Sequence, residues 1–280
     1  MAEFQMTPFV KWAGGKSQLL DRLIKKIPVS FGRYYEPFVG GGAFFLALAP
    51  QKASINDCNQ QLMNVYKELK MNIGEVISFL KKFDSYPCDK ERYYTLRDNY
   101  NMRMSTGQSK NAETAALMIW LNKHCFNGLY RVNKKGLFNV PWNNKINGSS
   151  FDEDNLRLIG EYLRKRKVSL SNMDFEKFCS RVRKGDFVYF DSPYLPVSDT
   201  AYFTDYTANG FSKEDHIRLA KLYDVLTERG VYVMLSNQDV PKVYELYGNK
   251  GYTIEQIDVK RLINRNAKKR TGKEVIITNY

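Results

Sequence analysis

Short apolar, β-branched stretches alternate with helical periodicity along this chain, and that alternation constrains the fold more than any other feature. The stretches lie at 33–39, 53–57, 167–171, 186–190, 230–236, 252–259 and 273–279. Between them, 16–27, 43–49, 152–166, 174–183, 212–228 and 239–247 place apolar residues at three- and four-residue intervals, the spacing of one helix face. Such alternation predicts an α/β sheet flanked by helices. From about 60 to 150 the rhythm breaks. Helical patterns at 59–71, 74–83, 89–101 and 111–125 follow one another without strands and lead into an Asn- and Gly-rich loop region. The expected organisation is a discontinuous sheet domain, 1–60 and 150–280, interrupted by a mainly helical unit, 61–149, that ends in a β-hairpin.

A chain of 280 residues buries roughly three quarters of its extended surface, so its core needs no staples. Cys58, Cys88, Cys125 and Cys179 are far apart and form no CxxC pair, which points to neither a zinc site nor a disulfide framework and suits a reducing cytoplasm. MAEFQMTPFVKWAGGK lacks a continuous apolar run, and no stretch approaches 18 apolar residues, so neither export nor membrane spanning is expected. The net charge of +13 favours a polyanionic partner, nucleic acid first. Cations gather in runs, Arg164 to Lys167 and the tail residues Lys260, Arg261, Arg265, Lys268, Lys269, Arg270 and Lys273. A single run is as readily a solvated face as a site; the excess over the whole chain carries the argument.

Five segments could carry chemistry. In GDFVYFDSPYLP, 185–196, a buried strand ends in Asp191 and breaks at Pro193; the carboxyl ends of strands in open α/β sheets bind ligands, yet Asp, Ser and Pro also serve plain turns. In YYEPFVGGGAFFLAL, 34–48, a strand runs into Gly40, Gly41 and Gly42 and then a helix. Glycines there permit positive φ and close approach of a ligand, or simply a tight turn, and Phe45 breaks the dinucleotide fingerprint. Asp57 ends the next strand, where an acid can accept from ribose hydroxyls or close an Asx-turn. KWAGGKS, 11–17, matches only the end of a phosphate loop, since Val10 replaces the first glycine and no strand precedes it. Finally, NKHCFNGLYRVNKKGLFNVPW, 122–142, mixes aromatics, amides and cations in a loop with a turn at Asn133 to Gly136. There Arg131 could hold guanine, Asn127 could read adenine, and Phe126 or Leu129 could wedge beside a base.

Taken in order, KWAGGK, EPFVGGG, ND, FNGLYR with FNVPW, DSPY and MLSNQD resemble the Dam-type (D12 class) DNA adenine N6-methyltransferases over nearly the whole chain. The resemblance implies a Rossmann-like S-adenosylmethionine-dependent methyltransferase sheet with a mainly helical target-recognition insertion. It also implies transfer of a methyl group from S-adenosyl-L-methionine to N6 of an adenine flipped out of double-stranded DNA, with GATC as the expected target. On matching positions, Trp12, Lys16, Asp57 and Asp191 would contact the cofactor, supported by Phe38 and the glycines from Gly40 to Gly42. Asp191, Ser192, Pro193 and Tyr194 would be the catalytic turn. Phe126, Asn127, Leu129 and Arg131 would lie near the bases, with Lys11, Pro141 and Asn144 beside them; Asn144 departs from the basic residue found in some relatives. The expected assembly is a monomer or weak dimer in the cytoplasm, with no metal and no membrane partner.

The proposed chemistry explains the composition of DSPY. The lone pair of adenine N6 is delocalised into the ring, so a site must favour a pyramidal nitrogen. Asp191 can accept one N6–H and the Ser192 carbonyl the other, while Tyr194 stacks on the base. A competing reading is a DNA-binding protein of the same fold with weakened catalysis, because Ser192 stands where the family usually has Pro. Since the carbonyl is the required acceptor and Pro193 restricts the residue before it, activity is expected to survive. GVYVMLSNQD would support the base pocket, and YFTDYTANGFS, with Phe203, Tyr206 and Phe211, would close the site or join the core. His124 and His216 lack partners at catalytic spacing and are expected in packing or surface roles.

Overall fold

The computed structural model describes residues 5–16, 19–195, 210–260 and 271–280. Phe203, Tyr206 and most of the C-terminal basic run (Arg261, Arg265, Lys268, Lys269 and Arg270) lie outside the described residues. Each strand-like stretch forms a strand: β1 (Tyr34–Glu36), β2 (Ala53–Asn56), β3 (Ser169–Ser171), β4 (Phe187–Phe190), β5 (Tyr232–Gln238), β6 (Thr253–Lys260) and β7 (Thr271–Thr278). They make one sheet in the order β3-β2-β1-β4-β5-β7-β6. The first five are parallel, and β7 runs antiparallel between β5 and β6. This is the expected α/β architecture.

Helices α1 (Leu20–Lys25), α2 (Ala43–Leu48), α7 (Glu153–Lys165), α8 (Phe175–Cys179), α9 (Lys213–Glu228) and α10 (Pro241–Tyr247) separate the strands. Their starts follow local chemistry. Asp152 and Asp174 accept backbone N–H groups at the starts of α7 and α8, and Ser212 with Asp215 forms a capping box on α9, each satisfying donors that a helix start leaves free. The inserted stretch supplies α3 (Gln60–Met71), α4 (Ile73–Asp84), α5 (Lys90–Ser105) and α6 (Ala112–His124), three of them capped by Asn59, Asp89 and Asn111.

The central strand β4 shows how the sheet divides the core. Phe187 and Tyr189 enter one apolar cluster, with Tyr34, Ile55 and Met234, and Val188 and Phe190 enter the other, with Tyr35, Val233 and Leu235. This two-residue period, buried on both faces, is what a parallel sheet between two helical layers requires. The first cluster continues into the insertion through Tyr66, Leu80, Leu117 and Trp120, so sheet and insertion share one core. Helix α6 is buried almost all round, which is why AETAALMIWLNKH has no polar stripe.

Segments without a ladder of their own are held by asparagines. Asn56, Asn101, Asn122 and Asn155 each donate to the carbonyl and accept from the N–H of one distant residue, respectively Met173, Phe138, Lys11 and Thr7. A side-chain amide carries the same donor and acceptor pair as a strand edge, so each supplies one rung to a backbone that would otherwise be unpaired.

Candidate active site

The sheet order reverses between β1 and β4, the place where an open α/β sheet leaves a crevice at its carboxyl edge. Glu36 ends β1, Asp57 follows β2, Asp191 follows β4, and Ser236 lies on β5. Into this acidic edge the KWAGGK segment brings Lys16, whose side chain is only 5% exposed and whose Nζ lies 2.6 Å from Asp191 Oδ1. Ser236 Oγ donates to the same Asp191 oxygen at 3.2 Å, and the Tyr189 hydroxyl lies 2.9 Å from Ser236 Oγ. Burial pushes the Asp191 carboxyl above the ordinary carboxylate range, and Lys16 and Ser236 pull it back. Glu36 is raised well above its usual value by burial, against a hydrogen bond of 2.6 Å donated by the Tyr34 hydroxyl.

Tyr194 completes the turn. Its hydroxyl donates to Glu274 on β7 at 2.7 Å, and Lys16 Nζ stands 4.6 Å from its ring centroid. Leu195 N donates to Asn237 on β5 at 3.0 Å. Lys16, Asp191 and Tyr194 therefore meet, with the ammonium between a carboxylate and an aromatic face. Ser192 is 2% exposed, and its hydroxyl has no partner among the described residues, a burial that costs about 1–3 kcal/mol.

The glycine turn has a tighter explanation than ligand approach. A Cβ on Gly40 would come within 2.8 Å of the Trp12 ring, one on Gly41 within 3.3 Å of Trp12, and one on Gly42 within 2.4 Å of the Tyr66 hydroxyl. Gly40 and Gly42 also have positive φ, 49° and 74°. The three glycines thus let Trp12 and Tyr66 pack on the turn. Trp12 stacks on Tyr130 of the insertion, with ring centroids 5.4 Å apart, and so connects the turn to the loop after α6. Asp57 is both acceptor and anchor: Oδ2 accepts from Gly40 N at 3.1 Å, and Oδ1 closes an Asx-turn on Asn59 N at 2.8 Å. Burial raises its pKa, opposed by these backbone bonds. Phe38 lies farther along in an aromatic group with Phe175, Phe190 and Phe211, and Phe211 packs edge-on against His216.

The loop candidates also gather. Cys125 bridges Trp142 and Val132 bridges Phe138, so the hairpin expected here is reduced to two isolated bridges, with a turn closed by Gly136 N on Asn133 O at 2.8 Å. Phe126 is 51% exposed, and its N–H donates to Pro141 O at 2.8 Å. Asn127 and Asn144 are exposed at positive φ, 55° and 61°, Leu129 is half-buried, and Pro141 is exposed. Arg131 is exposed and tied to Asn139 through Nε at 2.8 Å. Lys11 lays its stem across Gly128, where a Cβ would meet it at 2.6 Å.

One residue outside the candidate set joins these pieces. Asn122 on α6 accepts from Lys11 N at 2.8 Å and donates to Lys11 O and Gly128 O, each at 2.9 Å. Its only trace in the sequence is a lone amide in an apolar helix. Glu36, Ser236, Asn237 and Glu274 were likewise absent from the candidate set, although EPF and MLSNQD contain three of them. His124 and His216 are buried on helices, in packing positions as expected. Among the described residues no helix is long and apolar enough to cross a membrane.

The family model for D12 class N6 adenine-specific DNA methyltransferases matches residues 12–263. The chain is 41% identical over 280 residues to the Type II methyltransferase M1.LlaDCHI of Lactococcus lactis subsp. cremoris, covering 99% of this chain and 97% of that one. It is 39% identical over 294 residues to the Type II methyltransferase M.MjaIII of Methanocaldococcus jannaschii, covering 99% and 100%. With a DNA adenine methylase of Vibrio cholerae it shares 33% over 261 residues, covering 92% and 90%. The chain belongs to the D12 class N6 adenine-specific DNA methyltransferases.

Proposed function

We propose that this enzyme takes a methyl group from S-adenosyl-L-methionine and places it on N6 of an adenine flipped out of duplex DNA, within GATC, using the turn from Asp191 to Tyr194. The observation that carries the reading is the Lys16 ammonium, held between the Asp191 carboxylate and the Tyr194 ring. A flipped adenine makes the same two demands, an acceptor for its amine and a flat face for its ring.

The donor set fits the methyl donor, a zwitterion that carries a nucleoside. Asp57 keeps lone pairs for ribose hydroxyls, Trp12 offers an aromatic surface, Phe38 and its neighbours form an apolar wall, and Lys16 and Asp191 match its carboxylate and positive charge. When bound, S-adenosylmethionine would supply an electrophilic methyl group, whose bond to the sulfonium sulfur breaks in the transfer and leaves the rest of the donor as a neutral thioether. Asp191 accepts one N6–H and the Ser192 carbonyl the other, which localises the nitrogen lone pair in the direction of attack. Lys16 leaves the ring as the base arrives. As the N6–methyl bond forms, the surplus N6 proton passes toward Asp191 and solvent. Stacking on Tyr194, worth roughly 1–3 kcal/mol, offsets part of the few kcal/mol that extrusion costs.

Residues 61–149 are the proposed target-recognition unit, with Arg131 on a guanine, Asn127 on an adenine edge, and Lys11, Phe126, Leu129, Pro141 and Asn144 along the duplex. Incubation with labelled S-adenosylmethionine and duplexes differing only at GATC, followed by digestion to nucleosides, tests this. Label in N6-methyladenine from the GATC duplex alone is expected. Label in cytosine, or equal label in scrambled duplexes, would remove the site assignment.

A further inference from the structure

The edge of the sheet opposite the proposed catalytic turn is basic. At the amino ends of the parallel strands, Lys52 precedes β2, Arg166 and Lys167 precede β3, and Arg183 and Lys184 precede β4. The pairing of Ser54 with Ser169 places Lys52 beside Lys167, and that of Tyr34 with Ala53 places Arg33 beside Lys52. Neighbouring strands lie about 4.8 Å apart, well inside a Debye length of about 8 Å at physiological salt, so these cations repel one another. Lys52, Arg166, Lys167, Arg183 and Lys184 are exposed and, among the described residues, none has an ion-pair partner.

Two acids stand nearby, fewer than the cations. Asp186 is buried and accepts from the backbone N–H groups of Arg33 and Arg183, each at 2.9 Å, and Glu161 pairs with Lys165. Complementing helix carbonyl ends explains cations in a last helical turn, but Lys52, Arg183 and Lys184 sit on loops. Between the cations the glycine backbone is paired, Gly32 N donating to Gly185 O at 2.8 Å and Gly185 N to Gly230 O at 2.9 Å. The Lys184 stem lies over Gly230, where a Cβ would meet it at 3.1 Å.

We infer that this edge is a second, sequence-independent contact surface for the phosphate backbone of duplex DNA. The sheet separates it from the loops after α6, so the segment it holds is not the one whose bases are read. Phosphates relieve the mutual repulsion of the cations and release counterions. The test is a variant with Lys52→Gln, Arg166→Gln, Lys167→Gln and Lys184→Gln, which keeps the aliphatic stems and touches none of the proposed catalytic or base-reading residues. With its active site saturated by a short target duplex, the wild-type enzyme is expected to bind a fluorescent duplex lacking the target. The variant is expected to lose most of that binding, with a log–log salt slope smaller by about 3–4, while its Tm and its transfer rate on the short duplex stay unchanged. Four Lys or Arg side chains restored together should recover the slope. Failure of the wild type to bind the second duplex, an unchanged slope in the variant, a parallel loss of short-duplex transfer, or loss of binding to phosphatidylserine vesicles with DNA binding intact would each overturn the inference. Transfer on the short duplex reports separately on the proposed active site.

Discussion

Residues 191–195 and residues 126–144 both leave a buried element for a functional edge, but they are held in different ways. In the turn after β4, Asp191 is tied to Lys16 and Ser236, Tyr194 to Glu274, and Leu195 to Asn237, so four short side-chain contacts from three other parts of the chain hold five residues. The loop after α6 keeps its outward side chains exposed and is anchored from beneath by Asn122 on Lys11 and Gly128 and by Asn101 on Phe138. The difference matches the two proposed tasks. A transfer site needs groups fixed before the reaction, whereas a groove reader needs donors and wedges free to meet bases, with only its base made rigid.

Substitutions can break this comparison, and the largest effect is expected in the turn. Asp191→Ala should lower transfer by about 10²–10³-fold and leave salt-dependent DNA binding in place; equal loss of both would make the carboxylate structural. Next, Tyr194→Ala should cost about 1–3 kcal/mol of base stacking, seen as a weaker 2-aminopurine signal at the target position. Tyr194→Phe and Glu274→Gln test the anchor of the ring and should both broaden that signal while keeping most of it. If Tyr194→Phe matched Tyr194→Ala, the ring would not be the working part.

In the loop, Arg131→Ala should relax discrimination at one base pair by about 1–3 kcal/mol with Tm unchanged. Asn122→Leu should lower Tm and also weaken discrimination, because it frees Lys11 and Gly128 together. An Asn122→Leu enzyme with lower Tm but intact discrimination would reduce that residue to a purely structural one.

Acid should separate the regions further. Burial raises the Asp191 pKa, so the acid limb of the transfer rate should lie above the ordinary carboxylate range. Lys16→Met, which removes the opposing charge, should move that limb to still higher pH. A limb that stays in place would take Asp191 out of the rate-limiting protonation.

The smallest effects concern stability. Burial lowers the His216 pKa from 6.5 to about 4, so the folded state favours the neutral ring. Its stabilising contribution is present above pH 6.5 and is lost as pH falls toward 4, and His216→Phe should flatten that part of the Tm profile. Ser192→Ala removes an unpartnered buried hydroxyl and should raise Tm slightly with transfer preserved. A large loss of transfer would instead assign the hydroxyl a role that its carbonyl alone does not explain.

Sequence reading and structure agree best where the cause is local. The strand and helix stretches follow from apolar spacing, and the helix starts at Asp152, Asp174 and Ser212 follow from capping chemistry. DSPY and the glycine turn were visible as breaks in that pattern, and the family resemblance attached roles to them. The order of the strands was not visible, nor was the reason for the glycines, which lies in Trp12 and Tyr66. Nor could composition reveal that Asn122, an amide in an apolar helix, would grip a segment 111 residues away.

By itself, the sequence determined which segments are strands and helices, the excess of positive charge and the candidate turn, because periodicity and charge act over a few residues or simply sum. Only the tertiary structure decided that Lys16 meets Asp191, that Tyr194 rests on Glu274 and that cations from three strand entries gather at the amino edge of the sheet. Those outcomes depend on strand order and register, which bring together side chains from distant parts of the chain, and no local pattern encodes such distances.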